Sequence, residues 1–136
     1  LPDTAIGQIA INFGIRGPNF SIATACASAA NAIGEAFEMI RGGRVDVAVT
    51  GGTEAPIAAF AMQAFHNMTA LSTWNSDPAR ASRPFDKDRD GFVLSEGSAV
   101  LVLEEYGRAK ARGATIYAEM LGFGSSFDAW KWSERY

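Results

Sequence analysis

Two segments of the chain carry apolar residues at the spacing of an amphipathic helix. Residues 4–12 place isoleucine and alanine three or four positions apart, and Gly14 follows as a stop signal. Residues 27–40 place alanine, isoleucine and phenylalanine on one helical face, and Arg41 precedes a pair of glycines. Both segments are therefore predicted to be helices.

Weaker signals predict two further helices and a loop. Pro56 suits the first turn of a helix over residues 56–68, because proline lacks an N–H that the first turn leaves unpaired. Residues 104–112 place acidic residues before basic ones, which is the order that the helix dipole favours. Residues 70–91 contain Asp-Pro, Arg-Pro and Asp-Gly pairs and are predicted to form a loop.

Alternating or β-branched apolar runs predict five short strands. They are residues 19–24, 45–50, 92–94, 99–103 and 116–121. The second strand is predicted to be buried, and the third and fourth are predicted to form a hairpin through Ser95–Ser98. Because helices and strands alternate, the chain is predicted to be an α/β protein with a layered sheet.

The composition fits one folded domain and argues against two classes of protein. Of the 136 residues, 48% are hydrophobic and 20% are charged, and the net charge is −3. The 12 basic residues form no cluster, so nucleic acid is not an expected partner. The uncharged residues 17–34 and 55–76 contain too many polar side chains for a membrane span, so no membrane partner is expected.

The cysteine content and the first residues bear on location. A single cysteine excludes an internal disulfide framework and fits the cytosol best. The sequence begins at Leu1 and shows no signal-peptide pattern. We therefore expect a cytoplasmic protein, and we expect the chain to be an internal piece of a longer one.

Cys26 is the sharpest chemical feature of the sequence. It lies where a strand pattern gives way to a helix pattern, and its neighbours Ala25 and Ala27 are small, as in a nucleophile elbow. The free N–H groups and the dipole of the following helix would favour the thiolate. The alternative is a buried structural cysteine, since cysteine is among the residues most often found inside proteins. The residues alone leave both interpretations open.

Residues 86–91 resemble the first half of a calcium loop. They read D-x-D-x-D-G, but the twelfth position, which should be Glu, is Gly97. A turn held by Asp–Arg pairs is the preferred interpretation, and a calcium-binding module is the rival one. No metal site is therefore assigned.

Two other features have competing explanations. His66 is the only histidine, and a packed or pocket-lining side chain is preferred to a general base or a metal ligand. Gly51 and Gly52 would allow a ligand to approach the backbone closely, and a tight turn explains them equally well.

Ordered motifs run along most of the chain. They are residues 17–28 (GPNFSIATACAS), 49–54 (VTGGTE), 70–73 (ALST), 82–86 (SRPFD), 89–93 (RDGFV), 95–105 (SEGSAVLVLEE) and 122–126 (GFGSS). Together they resemble the β-ketoacyl-[acyl carrier protein] synthases, in particular the elongating type II enzymes. The first motif is similar to the active-site segment of that family.

The resemblance implies a partial thiolase-like fold, which in the whole family is a layered αβαβα arrangement of two similar halves. Residues 1–90 would form the end of the N-terminal half, and residues 91–136 would form the start of the C-terminal half. The strand over residues 19–24 would then lie beside the axis of a homodimer. A condensing domain is much longer than this chain, so the chain is expected to be its middle part.

The resemblance also implies a reaction and its residues. Cys26 would accept an acyl group from acyl carrier protein, and its backbone N–H would be one donor of the oxyanion hole. Decarboxylation of malonyl carrier protein would then supply the carbanion that attacks the acyl-enzyme, in fatty acid biosynthesis. Phe65 would line the acyl pocket. The implied partners are acyl carrier protein and a second copy of the full-length protein, with no cofactor.

Some positions depart from the family pattern. The two catalytic histidines and the lysine of the family would lie beyond residue 136, so the chain alone is expected to be inactive in condensation. Thr69 replaces an arginine that meets the carrier protein in some relatives, and Ser95 replaces a glycine. Residues 130–136 no longer follow the family. A polyketide ketosynthase and a non-catalytic truncated fragment remain alternatives.

Overall fold

The computed structural model describes residues 3–127 and residue 129. Within this part of the chain there are four α-helices, one short 3₁₀ helix and one two-stranded sheet. The helices are α1 (Thr4–Phe13), α2 (Ser28–Arg41), α3 (Ala59–Asn67) and α4 (Tyr106–Ala111), the 3₁₀ helix is Pro78–Arg80, and the strands are β1 (Val47–Glu54) and β2 (Gly97–Glu104). The prediction of mixed helix and strand is confirmed.

The described residues fall into two compact units. One contains the residues up to Gly52 together with Ser98–Ser126, and the other contains Thr53–Gly97. The second unit is therefore inserted, in sequence, between β1 and β2. The division into residues 1–90 and 91–136 stays a prediction, and residues 128 and 130–136 lie outside the described residues.

The two helices predicted from clear periodicity are confirmed within one residue at each end. Helix α1 ends at Gly14, which adopts φ 65° in the left-handed region and donates its N–H to the carbonyl of Ala10. Helix α2 buries Gly34, Ala36 and Met39. On the predicted apolar face, Ala36 is buried, Phe37 and Ile40 are half-buried and Ala30 is exposed, so the described residues cover that face only in part.

The other two helices are shorter than predicted. Helix α3 begins three residues later, because Ala58 is extended at φ −138° and ψ 153° and cannot belong to the first turn. Helix α4 begins after Glu105, whose carboxylate accepts the N–H groups of Gly107 and Arg108 at 2.9 and 2.6 Å. These bonds, with that of Gly107 first, lower the pKa of Glu105.

Charged contacts attach α4 to the end of β2. The Glu104 carboxylate accepts the Nε and Nη2 groups of Arg112 at 3.0 and 2.6 Å, and it lies 3.3 Å from Nε of Arg108. The hydrogen bonds from Arg112 are the main reason that the pKa of Glu104 is lowered. The Glu104 side chain is only 9% exposed, so these arginines also compensate for its removal from water.

The sheet pairs β1 with β2 in antiparallel orientation. Glu105 donates its N–H to the carbonyl of Asp46 at 3.0 Å, whereas Gly51 lies against the backbone of Ala99, so the two strands run in opposite directions. Gly51 has φ 148°, and a Cβ at this position would collide with the Ala99 carbonyl. The glycine thus allows close backbone pairing, in a strand and not in a tight turn.

The prediction of a buried strand over residues 45–50 is wrong in two respects. The strand begins two residues later and continues to Glu54, and none of its residues is fully buried. Val47 and Val49 are exposed. The apolar run would be covered on both faces only in a larger layered sheet, and the described residues contribute two strands.

Three other predicted strands are wrong, and so is the hairpin. Residues 19–24 and 116–121 join no ladder within the described residues, although Thr24 forms an isolated bridge with Cys26, and residues 92–94 form only one bridge. Phe92 makes that bridge with Leu71, in parallel orientation, and β2 pairs with β1 instead. Alternation of apolar and polar residues marks an extended segment, but a strand also needs a hydrogen-bonded partner.

The described residues bury few apolar side chains. The buried hydrophobic residues are Ala36, Met39, Ala70, Ala81 and Ala109. Several large side chains are instead exposed, among them Phe13, Phe60 and Tyr117. In the same described part of the chain, no helix combines the length and the apolar character that crossing a bilayer requires.

Candidate active site

The turn that carries Cys26 is strained and open to solvent. Ala25 adopts φ 51°, in the left-handed region, and Cys26 is exposed. Left-handed backbone costs a residue with a Cβ about 1–2 kcal/mol. Helix α2 begins at Ser28, two residues after the thiol. The interpretation of Cys26 as a buried structural cysteine is therefore wrong, and the segment that enters the turn is not part of a paired strand within the described residues.

Hydrogen bonds from α2 hold this turn on both sides of Ala25. The Thr24 N–H donates to Oγ of Ser28 at 2.8 Å, and Oγ of Ser28 donates to the Ala25 carbonyl at 2.7 Å. Nδ2 of Asn31 donates to Oγ1 of Thr24 at 2.7 Å. Because every partner is fixed by the helix, the side chain of Cys26 is presented on a defined backbone.

A groove of about 390 Å³ lies in the same unit, beside the turn. Its lining residues are Phe20, Ile22, Thr24, Asn31, Glu35, Phe123 and Ser125. Thr24 and Asn31 thus contribute both to this groove and to the hydrogen bonds of the turn. The groove combines aromatic rings with a few polar groups, which is a common composition for a ligand-binding surface.

Phe65 lies on α3, in the other unit. Its ring is half-buried and packs edge-to-face on Phe92, with centroids 5.2 Å apart and an interplanar angle of 82°. This contact fixes the ring of Phe65. Its role in binding an acyl chain stays a prediction.

Of the two preferred interpretations of His66, the packed one is wrong, and the pocket-lining one stays a prediction. The side chain is exposed on α3, one residue beyond Phe65. Successive residues of a helix point about 100° apart, so the ring of Phe65 turns inward while His66 faces solvent.

The acidic loop is a turn held by arginine contacts and hydrogen bonds, as predicted. The Asp90 carboxylate accepts Oγ of Ser72 at 2.7 Å and the N–H of Thr73 at 2.9 Å, and it lies 3.6 Å from Nη2 of Arg83. The hydrogen bond from Ser72, followed by that from Thr73, lowers the pKa of Asp90. The Arg83 guanidinium also lies over the ring of Trp74, at 4.2 Å.

The first acidic residue of the loop closes its own turn. Oδ1 of Asp86 accepts the N–H of Asp88 at 2.8 Å, and its carbonyl accepts Nη1 of Arg89 at 2.9 Å. Nowhere among the described residues do three His, Cys, Asp or Glu side chains converge as ligands for a metal ion. The loop geometry therefore lends no support to the rival calcium module.

Sequence reasoning missed the residues that position the turn. Thr24 and Ser28 are four apart, and a Ser or Thr at a helix start often bonds to nearby backbone. That spacing could have indicated the Ser28 contacts. The hydrogen bond from Asn31 to Thr24 joins residues seven positions apart. It forms only when the turn has its folded geometry, so no local sequence pattern predicts it.

The sequence of this chain matches a known protein family. Residues 1–109 match the model of the β-ketoacyl synthase N-terminal domain. The mitochondrial 3-oxoacyl-[acyl-carrier-protein] synthase of Arabidopsis thaliana is 54% identical over 95% of this chain and 28% of its own length. The 3-oxoacyl-[acyl-carrier-protein] synthase 2 of Staphylococcus aureus is 50% identical over 96% of this chain and 32% of its own length.

Solved structures show the same fold. A β-ketoacyl synthase from Burkholderia phymatum aligns with a TM-score of 0.79 at 42% identity, over 85% of this chain and 28% of that one. A type II polyketide ketosynthase in complex with its acyl-carrier protein aligns with a TM-score of 0.80 at 39% identity, over 83% and 28%. These likenesses confirm part of a thiolase-like α/β fold.

The chain spans about three-tenths of the length of the curated relatives it matches. The matched residues include α1, α2, α3, both strands and the exposed Cys26 at the start of α2. The chain therefore belongs to the β-ketoacyl synthase family.

Proposed function

We propose that this chain provides the nucleophile of a 3-oxoacyl-[acyl-carrier-protein] synthase, a condensing enzyme of fatty acid biosynthesis. The observation that carries the proposal is the exposed thiol of Cys26, held in a strained turn directly before α2. Strained backbone of this kind clusters at active sites, because surrounding bonds must maintain it. The two curated relatives at 54% and 50% identity carry the name of this activity.

The thiol suits a reaction that passes through an acyl-enzyme. The thiolate of Cys26 attacks the carbonyl carbon of an acyl thioester, a C–S bond forms, and the carrier thiol leaves as the tetrahedral intermediate collapses. The backbone N–H of Cys26 is one donor to the oxyanion of that intermediate. A malonyl thioester then loses CO₂, and its carbanion attacks the acyl group and expels the thiolate of Cys26.

Phe65 is proposed to line the site of the acyl chain. Its ring is apolar, half-buried and fixed edge-to-face against Phe92. Such a ring offers contact area to an alkyl chain at little entropic cost. Cofactor chemistry and a metal are not required by this reaction, since sulfur serves both as nucleophile and as leaving group.

The proposed partners are acyl carrier protein and a second copy of the full-length protein. The carrier protein is supported by the related ketosynthase that was solved in complex with its own carrier protein. Thr69, where some relatives have an arginine, is exposed at φ 55° after α3, so any contact there is polar and uncharged. A cytoplasmic location is proposed from the single cysteine.

A polyketide ketosynthase is the second candidate. It is favoured by the solved type II polyketide ketosynthase, which is 39% identical to this chain with a TM-score of 0.80. The curated 3-oxoacyl synthases are more similar, at 54% and 50%. We therefore place fatty acid synthesis first.

The test is to incubate the chain with an acyl-carrier-protein thioester and to map the adduct by mass spectrometry. We expect one acyl group on Cys26, no adduct in Cys26→Ser, and an unchanged adduct in Ser76→Ala, which removes an exposed hydroxyl from the other unit. An adduct on another residue, or none on Cys26, contradicts the proposal. The two candidate functions are separated by comparing the rates at which acyl carrier proteins from fatty acid and from polyketide pathways acylate Cys26. The faster donor indicates the pathway.

A further inference from the structure

We propose that Asn31 is a positioning residue for Cys26, acting through Thr24. This inference rests on the proposed function, because it concerns how the nucleophile is presented. Asn31 lies in the second turn of α2, and its side chain reaches back to the segment that precedes the thiol. It does not react; it maintains the backbone from which Cys26 projects.

Thr24 is held by three hydrogen bonds, and in one of them its carbonyl accepts the N–H of Ala27 at 3.1 Å. Its N–H donates to Oγ of Ser28 at 2.8 Å, and its Oγ1 accepts Nδ2 of Asn31 at 2.7 Å. Ser28 and Asn31 belong to α2, whereas Thr24 lies before the helix. The side chain of Thr24 is therefore one of the points at which the segment entering the turn is attached to the helix.

This attachment matters because of the backbone at Ala25. A left-handed φ of 51° at a residue with a Cβ persists only while its surroundings hold it. Ser28 fixes the Ala25 carbonyl from the helix side, and Asn31 fixes Thr24 from the other side. Without the bond from Asn31, the side chain of Thr24 loses its contact with α2. The bonds made by Ala27 and Ser28 are then left to oppose the relaxation of Ala25, which would change the direction of Cys26.

Asn31 itself has a rigid base. Its N–H donates to the Ala27 carbonyl at 2.9 Å, and its side chain is half-buried. The next turn of α2 contains the buried Gly34 and Ala36. The side-chain amide of Asn31 is thus held by the helix, and it can in turn hold the exposed turn in place. Residues that surround precise catalytic sites act in the same way.

The experiment removes the bond from each side. Thr24→Val and Asn31→Leu replace the polar atoms by similar apolar ones, and the double variant removes both. The measured quantities are the rate at which iodoacetamide alkylates Cys26, by displacement of iodide, and the rate of acylation by the carrier-protein thioester. Since a misplacement of about 1 Å can cost up to about 100-fold in the reaction of a bound substrate, we expect acylation to slow by about tenfold in each single variant. We expect the alkylation rate to change as well, because the exposure of the thiol changes.

The comparison of the double variant with the two single variants distinguishes a positioning role from a merely structural one. If one bond is responsible, the double variant is no slower than either single one, and Thr24→Ser, which keeps the hydroxyl, retains the wild-type rates. The matched control is Gln63→Leu on α3, which removes a similar amide bond to Asn67 of 2.7 Å and should leave both rates unchanged.

Three outcomes overturn the proposal: unchanged rates in Thr24→Val, losses that multiply in the double variant, or a loss in Thr24→Ser equal to that in Thr24→Val. Circular dichroism identifies any variant that fails to fold. If Asn31→Leu fails, Thr24→Val removes the same bond from outside the helix. Because alkylation needs no acyl transfer, the positioning role is tested even if the thioester does not react with Cys26.

Discussion

The ring of Phe123 occupies the space that a side chain on Gly34 would need. Gly34 is buried on α2, and a Cβ built at this position collides with the ring of Phe123. Phe123 lies in the segment that follows α4 in the same unit. Because Gly34 has no side chain, the ring of Phe123 can pack directly against α2. This contact attaches the segment of Phe123 to the helix that follows the active-site turn.

We expect Gly34→Ala to lower the free energy of unfolding by about 1–3 kcal/mol, because the ring of Phe123 must move. This loss of stability outweighs the gain in the free energy of unfolding, about 0.5–1 kcal/mol, that replacing glycine by alanine normally brings inside a helix. Gly7→Ala in α1 is the control, since its Cβ would meet nothing within 4 Å, and it should be neutral or stabilising. Urea unfolding measures both; equal effects of the two variants would contradict the packing argument.

Asp90 should make the second unit sensitive to acid. Its pKa lies below the ordinary 3.8, chiefly through the hydrogen bond from Ser72, so the ionised carboxylate stabilises the folded state above that value. This contribution is lost as the pH falls through the lowered pKa. We expect Asp90→Asn to be less stable than wild type at pH 7, and the difference to shrink as the pH falls from the ordinary 3.8 through the lowered pKa.

Chemical unfolding across this pH range tests the Asp90 prediction. Asp77→Asn is the control, because its carboxylate forms only an exposed ion pair with Arg80, 3.6 Å away, and such pairs contribute little. If the free energies of unfolding of wild type and Asp90→Asn differ by the same amount from pH 7 to acidic pH, the ionised carboxylate is not the cause of the difference.

Helix α3 should promote self-association of the chain. Phe60 is 87% exposed on this helix, and Ile57 before it is 57% exposed. Burying one such phenylalanine contributes about 1.5–3 kcal/mol, so Phe60→Ser should weaken association by about tenfold or more. Sedimentation velocity measures the effect, with Gln63→Ser on the same helix as control. Equal association of the two variants would exclude Phe60 from the contact.

The 136-residue chain should accept an acyl group without forming a carbon–carbon bond. Its single histidine, His66, is exposed on α3, and the family resemblance implies two histidines and a lysine for decarboxylation and condensation. We expect acyl-Cys26 to accumulate in the presence of malonyl carrier protein, with no β-ketoacyl product by mass spectrometry. Formation of that product by this chain would mean that other residues perform those steps.

Local patterns predicted the elements whose hydrogen bonds are local. Helices α1 and α2 follow from apolar periodicity and from glycines at their ends, since each helical bond joins residues four apart. Cys26 was located at the helix start by the same change of period. Helix α3 began later than predicted because Ala58 is extended, which no periodicity shows.

Contacts between distant residues could not be predicted in the same way. Phe92 was assigned to a hairpin, but it pairs with Leu71, and β2 pairs with β1 across an inserted unit. A strand pattern states that a segment is extended and does not name its partner. The bond from Asn31 to Thr24 was missed for the same reason, since it exists only once Ala25 has adopted its left-handed backbone.

The antiparallel pairing of β1 with β2 also sets an order of events during synthesis. Roughly 40 residues separate the end of β1 from the start of β2. At about 5–20 residues per second, the ribosome needs about 2–8 s to translate them. Helix α2, whose contacts are local, can form within about a microsecond once its residues have left the ribosome. The turn of Cys26 can therefore take shape while β1 still lacks its partner, and in that interval the backbone N–H and C=O groups along that edge of β1 are left without their strand partner.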